Sequence, residues 1–292
     1  MEFKSGRELL ELCRRTGLPI SELMRRREIE LGETTREAVD RRMARVLEIM
    51  RESASLPLRK PAKSTGGLIG GESRKLYDHA ARGEAICGPV LQRAMAYAMG
   101  VSEVNASMGL IVAAPTAGSA GVVPGLLLAL QDCRQLPDAR LIDALFNAGA
   151  VGYLAMRNAT VAGAVGGCQA EVGVAAAMAA SATVELMGGT PDQCLDAAST
   201  VLMNMLGLVC DPVGGLVEYP CQNRNAAGVA NALIAAELAL SGVRQLIPFD
   251  EMLDTMSAVG RRIPLELRET ALGGCAAAPS ARAACGGCGG CG

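Results

Sequence analysis

The sequence predicts an all-α fold, a helical body whose helices meet at glycine-rich junctions. Three observations predict it. Beyond residue 60, alanine and methionine dominate while β-branched and aromatic residues are sparse, which favours helix over strand. Apolar residues recur at i, i+3, i+4 and i+7, the spacing of one helix face. Glycine and proline cluster between these periodic stretches and stop each helix.

From about residue 5 to residue 52 the pattern is that of an amphipathic helical arm, with Leu9, Leu12 and Cys13 on one face, then Met43, Val46, Leu47 and Met50. The stretch SASLPLRKPAKSTGGLIGGES, with two prolines and four glycines, is read as a break and a flexible loop. Helices are expected near 88–101, 118–131, 138–158, 170–188, 191–206, 223–241 and 248–260. Thr190 before Pro191 and Pro137 before Asp138 mark two helix starts. The longest apolar run, Val172 to Val184, is 13 residues between two glutamates, too short for the ~20 that a bilayer needs. It reads as a buried helix. Small residues concentrate in 105–125, 147–190 and 207–231, which should form the centre of the bundle, where helix N-termini and glycine turns can bind an anion. The expected organisation is an arm over 1–60, a main body over 61–280 and a flexible Cys/Gly tail over 281–292.

Composition excludes several classes of function. The chain has 292 residues, 28 basic against 30 acidic, and only three Phe and four Tyr with no Trp. Such a balance argues against a nucleic-acid surface. The basic stretches near residues 14–28 and 40–52 are interleaved with glutamate at helical spacing, as on a solvated helix face. The first 17 residues carry charges throughout, so no signal peptide or membrane span is expected and the cytoplasm is the default location. Eleven cysteines there should be reduced, and should serve metal ligation or packing.

Cys168, Cys210 and Cys221 stand apart because they lie inside glycine-rich phrases that otherwise read as buried helix ends. Thiolates suit zinc or iron–sulfur clusters, and a cubane held by three thiolates leaves one iron open to substrate. Their separations of 42 and 11 residues, without a Cys-x-x-Cys pair, do not match common zinc modules.

The phrases NASMGLIVAAPTAGSAGVVPG, GCQAEVGVAAAMAASATVELMGGTP, NMLGLVCDPVGGLVEYPCQNRNAAGVANAL and GRRIPLELRETALGGCAAAPS resemble, in order and spacing, the α chain of iron–sulfur-dependent L-serine dehydratase, the L-serine ammonia-lyase family. The resemblance runs from about Ser64 to Pro279. It implies a helical catalytic domain around a 4Fe-4S cluster held by Cys168, Cys210 and Cys221. It further implies that L-serine loses water at the open iron and hydrolyses to pyruvate and ammonia. Pyridoxal phosphate is not expected, and every lysine lies in the first 75 residues, outside the glycine-rich centre.

Several polar residues are candidates for binding the substrate. Asn105, Ser107, Thr116 and Ser119 flank glycines, where their side chains either cap helices or bind a carboxylate or ammonium. Ser64 and Thr65 open STGGLIGGES, which resembles the family's substrate loop. Arg224, three residues after Cys221, would pair with a carboxylate or a cluster sulfur. Gln169 and Glu171 adjoin Cys168 in an apolar stretch and should be hydrogen-bonded there. His79, the only histidine, is expected to be a solvated helix residue, so the chain offers no convincing base. The resemblance implies a β part, on the same polypeptide or a separate subunit, and hence a hetero-oligomer. Little activity is expected from the isolated chain. Cys285, Cys288 and Cys291 follow at Cys-x-x-Cys-x-x-Cys spacing with glycine spacers, a weak metal-binding pattern. Cys13, Cys87, Cys133, Cys194 and Cys275 read as packing residues. Two rival readings are a related amino acid with a β leaving group as substrate, and a metal-binding module without turnover.

Overall fold

A computed structural model of the protein describes residues 1–286. Among these residues there are thirteen α-helices and no strand, and the one β-type pairing is an isolated parallel bridge between Cys210 and Arg268. The helices are α1 (Gly6–Thr16), α2 (Ile20–Leu31), α3 (Arg36–Arg59), α4 (Glu72–Ala81), α5 (Pro89–Ala106), α6 (Val122–Arg134) and α7 (Asp138–Asn158). They continue with α8 (Gly163–Gly166), α9 (Val174–Leu186), α10 (Pro191–Asn204), α11 (Cys221–Leu240), α12 (Phe249–Gly260) and α13 (Pro279–Gly286). None is long and apolar enough to cross a membrane.

Both expected helix starts are present, α10 with a side-chain cap and α7 without one. At α10 the Thr190 side chain accepts from the Gln193 amide while the Gln193 side chain accepts from the Thr190 amide, a reciprocal capping box with Pro191 next in line. At α7, Pro137 occupies the N-cap in extended conformation.

The centre is α9, every residue of which from Val174 to Val184 is buried. It is enclosed by α6, α7, α10 and α11. Its alanines allow these axes to close in, and the burial of so many small side chains supplies the core that aromatic residues supply elsewhere. A second layer centres on α5, packed on α3, α4, α6 and α11. Gly125 permits the α5–α6 crossing, because a Cβ there would fall 2.9 Å from both the Ala94 carbonyl oxygen and the Ala98 Cβ.

The expected break at residue 53 is corrected: α3 continues through Pro57 to Arg59. Proline removes one helical hydrogen bond and is normally a stop. Here Ser53, Ala54, Pro57 and Leu58 are all buried, and α5 approaches so closely that a Cβ on Gly100 would lie 2.7 Å from the Ala54 carbonyl oxygen. Packing against α5 outweighs the lost bond. Residues 281–286, where the tail was expected to begin, belong to α13, which packs on the 213–215 turn. Cys288 and Cys291 lie outside the described residues.

Arg25 joins α2, α3 and α7. Its guanidinium reaches Glu22 at 2.9 Å, Asp40 at 2.7 Å and Asp143 at 2.5 Å, and lies 4.5 Å from the Phe146 ring centroid. Burial pushes the Glu22 carboxyl up, but hydrogen bonds from Arg36, Arg26 and Arg25 outweigh it and hold the pKa at about 2, against an ordinary 4.5. A depressed folded-state pKa contributes stability that is complete above the unfolded value and is lost as pH falls through the folded one. The urea midpoint is therefore expected to decline from pH 4.5 towards pH 2, and Glu22→Gln to flatten that decline. An unchanged slope in the variant would assign it to other carboxylates.

Candidate functional site

Three segments bring the cysteines together. Cys168 follows α8 and begins a wide π turn, Gln169–Gly173, that leads into α9. Cys210 lies in the extended stretch after α10, where its amide donates to the Leu267 carbonyl at 2.9 Å and its carbonyl accepts from the Glu269 amide at 2.6 Å. Cys221 is the first residue of α11. The Cys210 and Cys221 thiols both feel the charges of Cys168, Glu171 and Glu269, so these groups share one neighbourhood. Gly163 makes room for it: a Cβ there would sit 2.9 Å from the Cys210 Sγ and 3.0 Å from the Glu171 Oε2.

Burial raises all three thiols. Cys168 is pushed up to about 11, with Arg224 drawing it down and Glu171 adding to the rise. Cys221 is pushed to about 12 and Cys210 is raised further, each by burial and then by the charge of Cys168. Burial favours the protonated thiols, and a cationic guest is what would favour thiolates. Among the described residues no three His, Cys, Asp or Glu side chains gather tightly enough to hold a single metal ion. A cubane binds each thiolate through a different iron, and so asks for thiols around a larger body.

Arg224 is the cation of the site. It faces Cys168, pairs with the Asp211 Oδ1 at 2.7 Å and donates to the Val209 carbonyl at 2.8 Å. Asp211 is buried, which raises its pKa, yet the Cys275 amide at 2.6 Å and Arg224 outweigh burial and hold it below its ordinary value. Cys275, expected to be a packing residue, therefore lies beside the charged pair, and its thiol is raised by burial and by Asp211. Gly274 approaches Asp211 with φ +58°, leaving no room for a side chain.

Glu171 accepts from the Thr116 hydroxyl at 2.5 Å, and burial raises its pKa. Thr116 also meets the Ser119 hydroxyl at 3.0 Å. Asn225, fully buried on α11, donates to the Gly118 and Cys221 carbonyls and accepts from the Gly121 amide, so it ties the 116–121 turn to the helix that begins at Cys221. The Gln169 amide donates to the Gly166 and Met256 carbonyls and accepts from the Gly207 amide.

The remaining sequence candidates gather where the glycine loop meets the end of α5. The Ser64 hydroxyl donates to Glu218 at 2.6 Å, and the Thr65 amide donates to the Ala106 carbonyl at 2.8 Å, with the Thr65 side chain exposed. The Ser107 hydroxyl lies 2.8 Å from the Glu103 carbonyl and 3.3 Å from that of Lys63, and the Asn105 amide donates to the Ala117 carbonyl at 3.3 Å. His79 sits elsewhere, half-exposed on α4, 3.1 Å from Glu84. Sequence reasoning missed Asp211, Glu218 and Asn225. The available signal was that each is polar and lies within four residues of a singled-out cysteine.

Comparison with known proteins bears on this arrangement. A family model described as "Serine dehydratase alpha chain" matches residues 15–276. The chain is 46% identical over 280 residues to the probable L-serine dehydratase, alpha chain, of Bacillus subtilis, covering 96% of this chain and 93% of that one. It is 44% identical over 274 residues to the L-serine dehydratase, alpha chain, of Peptoniphilus asaccharolyticus, covering 94% of each. It is 35% identical over 281 residues to the L-serine dehydratase TdcG of Escherichia coli, covering 94% of this chain and 62% of that protein.

Proposed function

Because the chain belongs to the serine dehydratase alpha chain family, we propose that it is the α half of an L-serine ammonia-lyase converting L-serine to pyruvate and ammonia. Cys168, Cys210 and Cys221 would hold a 4Fe-4S cluster. When bound, the cluster would supply a Lewis-acidic iron that polarises the departing β-hydroxyl. The observation that carries this reading is the shared neighbourhood of the Cys168, Cys210 and Cys221 thiols, all raised by burial, with Arg224 set against Cys168.

The chain's own residues would do the rest. Arg224 offsets thiolate charge at Cys168 and is itself held by Asp211. Glu171, fixed by Thr116 and raised by burial, keeps its proton to higher pH than a free carboxyl and can donate as well as accept at the reacting face. Ser64, Thr65, Asn105, Ser107 and Thr116 would receive the carboxylate and ammonium of serine. The Ser64 hydroxyl already donates to Glu218 and accepts from the Ile69 amide, and the Ser107 hydroxyl donates to the Glu103 carbonyl, so their present work is to shape the loop and the end of α5.

We assign no base in this chain and propose that a β chain supplies it. The Escherichia coli relative, with over a third of its length beyond the match, supports a missing part. Exposed apolar side chains on site-bearing segments, Met108, Leu110, Val165, Leu216, Leu265 and Leu272, support a partner surface.

The test is anaerobic reconstitution with iron and sulfide, with and without a β chain, read by absorption and by pyruvate release from L-serine. Broad absorption near ~400 nm with pyruvate only when the β chain is present is the expected result. A cluster with turnover of another β-substituted amino acid instead would change the substrate, and absence of any cluster would overturn the mechanism.

A further inference from the structure

We infer that Glu218 is a positioning residue: it fastens the glycine-rich loop carrying Ser64 and Thr65 to the turn that leads into Cys221. Its side chain is buried and accepts three hydrogen bonds, from the Ser64 hydroxyl at 2.6 Å, the Gly66 amide at 2.7 Å and the Leu68 amide at 3.0 Å. All three donors are neutral and all belong to one loop. The Ser64 hydroxyl is itself oriented, because it accepts from the Ile69 amide at 3.3 Å. A Cβ on Gly66 would crowd the Leu216 side chain and lie 2.8 Å from the Glu218 Oε1, so the absence of a side chain here lets the loop approach the carboxylate closely.

The other side of the contact is built independently of the loop. The Glu218 amide donates to the Leu216 carbonyl at 2.8 Å, the Val213 amide to the Tyr219 carbonyl at 2.8 Å, and the Gln222 amide to the Glu218 carbonyl at 2.9 Å. Glu218 thus sits on a closed turn continuous with α11, three residues before Cys221. When the loop lifts, all three donors leave together and the carboxylate must find water in a buried place. That cost restores the loop to one position. The loop's closed state and the first residue of α11 are therefore connected through one side chain that, in this reading, touches neither substrate nor cluster. As a role in serine binding, this inference rests on the ammonia-lyase reading above.

The experiment compares wild type with Glu218→Gln, and with the milder Glu218→Asp and Ser64→Ala should glutamine not fold. Amide hydrogen exchange is read at residues 64–69 in the metal-free protein, and absorption, kcat and KM for L-serine in the reconstituted complex with a β chain. Loss of a charge-assisted set of bonds should speed exchange at Gly66 and Leu68 by about tenfold or more in Glu218→Gln. Absorption should persist, with KM raised about tenfold and kcat within about threefold of wild type. Ser64→Ala should show a smaller change in the same direction. Unchanged exchange at Gly66 and Leu68 would overturn the proposal, as would a fall in kcat at constant KM, which would put Glu218 at the reacting atoms. If the wild-type complex does not turn over serine, the functional reading fails, and the exchange measurement still decides whether Glu218 holds the loop.

Discussion

Changing Cys168 to alanine is expected to abolish the visible absorption of the reconstituted protein and its serine deamination together. A Lewis-acidic iron is worth several kcal/mol of barrier, so activity should fall by roughly 10³-fold or more. The fold should survive. Cys168 is almost wholly buried beside small residues, and removing one sulfur from such a place costs on the order of 1 kcal/mol. The informative control is Cys13→Ala, which deletes an equally buried sulfur on α1. That variant should lose similar stability in urea and keep both absorption and turnover. If Cys168→Ala keeps its absorption, Cys168 is not a ligand.

The second large effect is expected at the Arg224–Asp211 pair. Both side chains are largely buried, and removing one partner leaves the other without its counter-charge, a loss of about 3–5 kcal/mol. Arg224→Met should therefore lower the urea midpoint of the metal-free protein. It should also weaken cluster retention by about 10–100-fold, as loss of a group supporting metal ligands commonly does. The double variant Arg224→Met with Asp211→Leu separates these effects. Stability should return in large part, because no lone charge remains, while cluster retention should stay low, because Cys168 still lacks its cation. Recovery of both would reduce Arg224 to a structural partner of Asp211. Arg224→Lys is expected to fall between, since an ammonium cannot meet Asp211, the Val209 carbonyl and Cys168 in the planar arrangement of a guanidinium.

The helices were legible wherever local chemistry decides. Pro137 and Thr190 mark helix starts through their own backbone and side-chain preferences, and α7 and α10 begin there. The run from Val172 to Val184 could be read as buried because it has no polar face. Pro57 misled because its local preference is overruled by α5, whose close approach at Gly100 lies 43 positions away in the chain. The cysteines stood out through their glycine-rich phrases, but what surrounds them did not. Asp211 was a plain acidic residue until its partners, Arg224 and the Cys275 amide, were brought to it by the fold. Glu218 meets a loop 150 to 154 residues upstream, a separation at which periodicity and turn chemistry carry no signal. The π turn at Gln169–Gly173 falls where the sequence predicts ordinary helix, since one additional residue in a turn leaves no mark on composition.

The pairing of Cys210 with the stretch around Arg268 has a consequence for how the molecule comes into being. Cys168 and Cys221 sit at helix boundaries that can form soon after they are made, but Cys210 is clamped by Leu267 and Glu269, and Asp211 by Cys275. A ribosome adding about 5–20 residues per second therefore emits the three thiols some seconds before the clamp that sets the middle one. During that interval a nascent chain carries sulfur without a finished receptacle. If Cys168, Cys210 and Cys221 hold a cluster, iron that arrives before residues 267–275 are made would meet a loose set of thiols, because the fastening of Cys210 and Asp211 is not yet in place.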